Sequence, residues 1–178
     1  MHTETVARIR GSVEAIFDYA AQVERWPEWL PHYRSVRVLA TSGPARIVEM
    51  KARRGRLPVW WWAQQVRMPE ERRIRYTHVR GVTMGMRVEW RLEPAAGGDV
   101  VVTVVHDLDL RWPLIGRAVA RRIIGPLFVE PIAARTLARI KQLVEQPVSA
   151  PRREARGAGR TPGPQARGAV SPPRGGDA

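Results

Sequence analysis

Two histidines are the side chains of this sequence best suited to moving a proton. The run Arg73 to Arg80 alternates so that Ile74, Tyr76 and His78 share one face of an extended strand. Val100 to Leu110 likewise places Val104, His106, Leu108 and Leu110 together. Both imidazoles are expected on inward faces, where a group that titrates near neutrality can carry a proton between carbon and oxygen. A hydrogen-bonded structural role is the alternative for each. For His106 the neighbouring Asp107 and Asp109 suggest a strand end.

Much other chemistry is excluded. The chain has no cysteine, so it has no thiolate nucleophile, disulfide framework or cysteine-ligated metal. His32, His78 and His106 do not form a local metal motif, and the inward faces carry no evident carboxylate set, so neither a metal nor a cofactor is expected. There is no G-x-S-x-G elbow, phosphate loop or dinucleotide fingerprint.

The elements that must position these groups follow from pattern. Thr3 to Arg10 reads as a first strand stopped by Gly11. Ser12 suits a helix N-cap, and Ile16, Phe17, Ala20, Ala21 and Val23 recur at helical spacing up to Pro27. Trp26 to Pro31 has room for one short turn. Six strands are then predicted: Tyr33 to Ala40, Ala45 to Arg53, Val59 to Met68, Arg73 to Arg80, Thr83 to Glu93 and Val100 to Leu110. Turn residues separate them by so little that neighbours must be antiparallel. After Trp112-Pro113 the spacing is helical: Leu114 to Ile124 is a basic amphipathic piece, and Leu127 to Glu145 a longer helix with Val129, Ala133, Leu137, Ile140 and Val144 as its stripe. The fold class is α+β. About seven strands in a curved antiparallel sheet wrap around the long C-terminal helix, with two short helices after the first strand.

Seven Trp and five Met are a large number for a core of this size. In Val59 to Met68, alternation groups Trp60 and Trp62 with Gln64, Val66 and Met68, and leaves Trp61 pointing the other way. Met84, Met86 and Trp90 share a face of a neighbouring strand. Flat rings and adaptable thioethers form a suitable wall for a large planar or polyene ligand, and they also suit a plain core.

Charge is uneven. The 178 residues carry 30 Lys or Arg against 17 Asp or Glu, a formal +13. Residues 147 to 178 hold six Pro, six Gly and six Arg, with no aromatic residue, Leu or Ile, and a net +4. Such a segment is expected to be a disordered tail, leaving residues 1 to 146 as one domain of net +9. Outward arginines such as Arg73, Arg75, Arg87 and Arg91 could receive an acidic acyl carrier protein or an anionic membrane surface. No motif points to nucleic acid, and the oligomeric state is left open. Met1 to Arg10 lacks the apolar run of a signal peptide, and no segment has the roughly 18 apolar residues of a span, so a cytoplasmic location is expected.

The order of these elements, with Val23-Glu24-Arg25-Trp26-Pro27-Glu28-Trp29 after the first helix, closely resembles the START-like, Bet v 1-like (SRPBCC) superfamily. It is most similar to the polyketide cyclase/dehydrase and coenzyme Q-binding group. Supporting pieces are Val59-Trp60-Trp61-Trp62, Met86-Arg87-Val88-Glu89-Trp90, Ala96-Gly97-Gly98 and Ala134 to Lys141, and the likeness covers about residues 3 to 146. It implies a helix-grip fold whose cavity, between sheet and long helix, takes bulky hydrophobic molecules. It also implies that Tyr33, which could donate to an enolate oxygen, and Trp26 line the pocket. An arginine implicated in catalysis in the aromatase/cyclases falls at Val66. Arg67 is next to it and is expected to face away unless a bulge turns it inward.

The expected function is binding of a bulky hydrophobic ligand, with cyclisation and dehydration of a carrier-bound poly-β-ketone as its enzymatic form. Tyr33 and His78, with Arg67 if inward, would do the chemistry. Trp26, Leu30, Trp60, Trp62, Gln64, Val66, Tyr76, Met84, Met86, Trp90 and His106 would bind the ligand. The alternatives are a non-enzymatic carrier of a quinone or isoprenoid lipid, and a module whose basic face docks a macromolecule.

Overall fold

A computed structural model describes residues 2–81, 83–108 and 130–146. The expected segment Leu114 to Ile124, the start of the long helix at Leu127, and the basic tail lie outside the described residues.

Strand β1 (His2–Arg10) ends at Gly11, and helix α1 (Val13–Ala21) starts where the Ser12 hydroxyl accepts the Ala15 amide proton at 3.1 Å. This N-cap occupies one of the amides that the first helical turn leaves without a partner. A 3-10 turn (Val23–Arg25) leads into the one-turn helix α2 (Trp26–Trp29), with Pro27 in its first turn, where a missing amide proton does no harm. Six strands follow as a meander: β2 (Tyr33–Ser42), β3 (Ala45–Arg54), β4 (Leu57–Met68), β5 (Arg73–Gly81), β6 (Arg87–Ala95) and β7 (Asp99–Asp107). Helix α3 (Glu130–Glu145) closes the described chain.

All neighbours are antiparallel, in the order β1-β7-β6-β5-β4-β3-β2, so the first strand adds to the last and the sheet has seven strands. The inner face is apolar: Ile9, Val48, Ile74, Trp90, Val102 and Val104 are buried there, and Leu137 and Ile140 of α3 pack into the same core. This is the expected α+β helix-grip arrangement. The outer face is wet and charged, with Glu89 bridging Arg75 at 2.8 Å and Arg91 at 2.6 Å. Exposed pairs of this kind add little stability individually.

One predicted strand is shorter than expected. Thr83 to Met86 is a turn, and β6 starts at Arg87. Gly81 and Gly85 have φ of 100° and 89°, and the Met84 and Met86 amides donate to the Gly81 and Thr83 carbonyls at 3.1 and 3.0 Å. A backbone twice in the left-handed region within five residues cannot remain extended.

The end of α1 is held by a buried polar network. Its last turn has no basic residue, and the Ala20 and Ala21 carbonyls take their donors from the sheet instead. Gln65 Nε2 donates to Ala21 O at 3.0 Å and to the Tyr76 hydroxyl at 2.7 Å, and Tyr76 donates onward to Ala20 O at 3.2 Å. Arg46, also buried, donates to Gln65 Oε1 and Ala21 O and pairs with Glu24 at 3.0 Å. Every member has a partner, which is the condition for burying such groups without a large penalty.

Candidate functional site

A cavity of ≈ 330 Å³ lies between the sheet and α3. Trp26 and Tyr33 close one side, Trp61, Tyr76, His78, Val88, Trp90, Val104 and His106 form the sheet wall, and Ile132, Ala133 and Thr136 come from the helix. Leu57 and Pro58 at the start of β4, with Thr83 and Met86 from the β5–β6 turn, complete one end.

The wall is a network of rings. Trp26 meets Tyr33 edge-on at 4.9 Å and Trp90 at 6.3 Å, and Tyr33 meets Trp61 at 6.2 Å. Trp61 is stacked on His78, with centroids 5.6 Å apart and planes 9° apart. His78 is held in turn by a 2.6 Å hydrogen bond between its Nδ1 and the Thr83 hydroxyl. Thr136 anchors the helix side. Its hydroxyl donates to Ile132 O at 2.9 Å, so its oxygen accepts from His32 Nε2 at 3.2 Å, and it also hydrogen-bonds the Tyr33 phenol.

Burial sets the charge state of the site. Desolvation, helped by nearby His106, lowers His78 from 6.5 to about 3, and desolvation lowers His106 to about 4. Both are neutral near pH 7. Burial raises the Tyr33 phenol above its ordinary range, with the Thr136 hydrogen bond opposing the rise. No arginine or lysine is among the described residues that line the cavity.

Seven of the expected site residues stand at this cavity: Trp26, Tyr33, Tyr76, His78, Met86, Trp90 and His106. Others do not. Trp60 is 43% exposed and Gln64 is also on the surface, while Trp62 and Val66 are half-buried outside the cavity lining. The parity expected for β4 is reversed: Trp61, Ala63 and Gln65 face inward. The even-numbered set looks like the apolar face because it holds Val66 and Met68, but the inward Gln65 is needed by the end of α1. Trp60 and Trp62 instead flank the Arg80 guanidinium on the outer face, at 5.8 and 4.8 Å from the ring centroids. A bulge makes this compatible with an inward His78. Trp62 pairs with Arg80 and Ala63 with His78, so Val79 is the extra residue.

Met84 is 54% exposed because it sits in the glycine turn, and Leu30 is wholly buried in the core away from the cavity lining. Arg67 has the same parity as Trp61 and Gln65, without a bulge in β4, yet it does not reach the cavity. It lies in a separate groove beside Val13, Glu14, Phe17 and Asp18 of α1. Sequence reasoning missed Trp61, Met50, Thr83 and Thr136. Gly81, paired with Trp61, was the available signal: a Cβ there would stand 2.5 Å from the Trp60 carbonyl oxygen, so the two backbones approach only with glycine.

An antiparallel sheet gripping a C-terminal helix, with an aromatic cavity between them, defines the helix-grip class. The chain belongs to the polyketide cyclase/dehydrase and lipid transport family, whose model matches residues 9–125. No curated protein matches the sequence. Among solved structures it is similar to the Zhui aromatase/cyclase from Streptomyces sp. R1128, at 18% identity over 84% of this chain and 96% of that one, with a TM-score of 0.74. A START superfamily protein from Mycobacterium smegmatis is 17% identical over 80% and 98% of the two chains, with a TM-score of 0.64. Norcoclaurine synthase from Thalictrum flavum is 14% identical over 82% and 87%, with a TM-score of 0.66. At these identities the likeness establishes the shared fold. Among the described residues no helix is long and apolar enough to cross a membrane.

Proposed function

We propose that the protein binds a bulky hydrophobic small molecule in the cavity between sheet and α3. The observation that carries this reading is the ≈ 330 Å³ space walled by Trp26, Tyr33, Trp61, Met86 and Trp90. Protein interiors are otherwise close-packed, and binding sites for drug-sized molecules begin at about 300 Å³. Native mass spectrometry of protein purified from its own host tests the reading. A co-purifying hydrophobic molecule of constant mass is expected; protein that is always free of ligand and takes up no added quinone, isoprenoid lipid or aromatic ketone contradicts it.

Cyclisation and dehydration of a carrier-bound poly-β-ketone is the second reading, favoured by Tyr33, His78 and His106 lining one cavity. Two observations weigh towards holding a ligand rather than transforming it. Histidines lowered to about 3 and about 4 are weak bases, far from the match to working pH that general-base catalysis favours. The Arg67 guanidinium lies at the α1 groove, so the described residues of the cavity lining supply no cation to a developing enolate. Tyr33→Phe and His78→Gln should change the cyclised products of a carrier-bound poly-β-ketone if this reading holds. An unchanged product profile in both removes them from the chemistry.

A further inference from the structure

Among the described residues, three buried side-chain polar atoms have no hydrogen-bond partner: Thr3 Oγ1, Trp61 Nε1 and His106 Nδ1. The two ring nitrogens belong to residues that line the same cavity and are more than nine-tenths buried, with relative exposures of 8% and 7%. Thr3 is paired with His106 across β1 and β7. Buried polar groups in folded proteins almost always find a partner, so an indole N–H left without one in a cavity wall is a sign of a missing acceptor.

The geometry around Trp61 is rigid. Its ring is stacked on His78 at 5.6 Å, His78 is tied to Thr83 at 2.6 Å, and Tyr33 meets the indole edge-on at 6.2 Å. The backbone behind it is fixed by the close approach of Gly81 to Trp60 and Trp61. A donor held this way needs no reorganisation when an acceptor arrives. Indole N–H only donates, whereas a neutral imidazole Nδ1 donates or accepts according to tautomer.

Resting on the reading that this cavity takes a hydrophobic ligand, we propose that Trp61 Nε1–H is the specificity-determining donor. It accepts only uncharged, oxygen-bearing ligands by donating to a carbonyl oxygen, with His106 Nδ1 as the second polar point. A pure hydrocarbon leaves both nitrogens unsatisfied. Among the described residues no Lys or Arg lines the cavity, so a carboxylate finds no counter-charge there, and bringing an unpaired anion into an apolar site is strongly unfavourable.

The test is isothermal titration calorimetry of the full chain with three probes of nearly one shape: 2-acetylnaphthalene, 2-isopropenylnaphthalene and 2-naphthoate. The wild type should bind the ketone about five- to tenfold more tightly than the alkene, the scale of one neutral hydrogen bond. It should bind the carboxylate more weakly than either. Trp61→Phe keeps a flat ring without the N–H and should bring the ketone-to-alkene ratio close to one, the lost ring area changing the affinity for both probes alike. A wild-type ratio near one, a ratio retained in Trp61→Phe, or naphthoate binding as tight as the ketone would each overturn the inference while leaving the cavity reading intact. Binding of neither neutral probe by the wild type takes down the cavity reading, and this inference with it.

Discussion

Trp61 and His78 lie face to face across β4 and β5, 5.6 Å between centroids and 9° between planes, and the Thr83 hydroxyl fixes the imidazole from behind at 2.6 Å. The stack joins the indole that faces the cavity to the turn between β5 and β6.

The first prediction concerns this anchor. Thr83→Val keeps the side-chain shape but leaves the buried Nδ1 of His78 without its partner. Urea denaturation should show a loss of about 1–2 kcal/mol, the cost of one unsatisfied buried polar group. A midpoint equal to that of the wild type would mean that the hydroxyl does not hold the ring.

Acid should destabilise the protein before its carboxylates titrate. Burial lowers His78 to about 3 and His106 to about 4, whereas the unfolded chain has histidines near 6.5. Below about pH 6.5 the unfolded state therefore binds protons that the folded state refuses. Stability is full above that pH and falls on acidification, by up to about 1.4 kcal/mol per pH unit for each histidine. Urea midpoints between pH 7.5 and 5 should drop, and His78→Gln or His106→Gln should each flatten the dependence. A flat wild-type profile over that range speaks against neutral burial.

The reversed parity of β4 predicts opposite outcomes for adjacent tryptophans. Trp60→Ser removes an exposed ring whose recorded partner is Arg80 and should cost about 1 kcal/mol or less. Trp61→Ala empties a buried site and should cost about 3 kcal/mol. Equal losses, or a larger one at Trp60, would return the strand to the phase first expected from sequence.

Gly81→Ala should be among the more damaging single-atom additions. Its φ is 100°, and the new Cβ would stand 2.5 Å from the Trp60 carbonyl oxygen and 2.8 Å from the Trp61 Cα. Backbone strain and overpacking together predict a loss of about 2–4 kcal/mol in thermal or urea unfolding. A change under about 0.5 kcal/mol, the scale of a neutral surface substitution, would show that the strand pair can separate freely.

The sheet was legible because its signals are local. Short turns between alternating runs force antiparallel neighbours, and β2 to β5 and β7 begin or end within a residue or two of the positions those turns imply. The phase of β4 was not legible. Three consecutive tryptophans offer no contrast between faces, and the residues that break the tie, Gln65 and Arg67, are polar on the inward side. Gln65 is there for the carbonyls of α1, 44 residues earlier in the chain, a demand invisible to a window of ten. His78 was read correctly as inward because Ile74 and Tyr76 set its phase before the bulge at Val79. Met84 was misplaced because Gly81 and Gly85 together break the strand, although each alone is tolerable in one.

The central claim, that a hydrophobic ligand enters the cavity and meets Trp61, is tested most directly by the indole N–H resonances of the seven tryptophans. A ¹H–¹⁵N correlation spectrum of the full chain, titrated with 2-acetylnaphthalene and assigned at this position with Trp61→Phe, follows each indole separately. The account predicts that the Trp61 Nε1–H signal moves with saturation, while those of Trp60 and Trp62 on the outer face stay in place. A stationary Trp61 signal, with shifts confined to Trp60 or Trp62 or with no shifts at all, would contradict it.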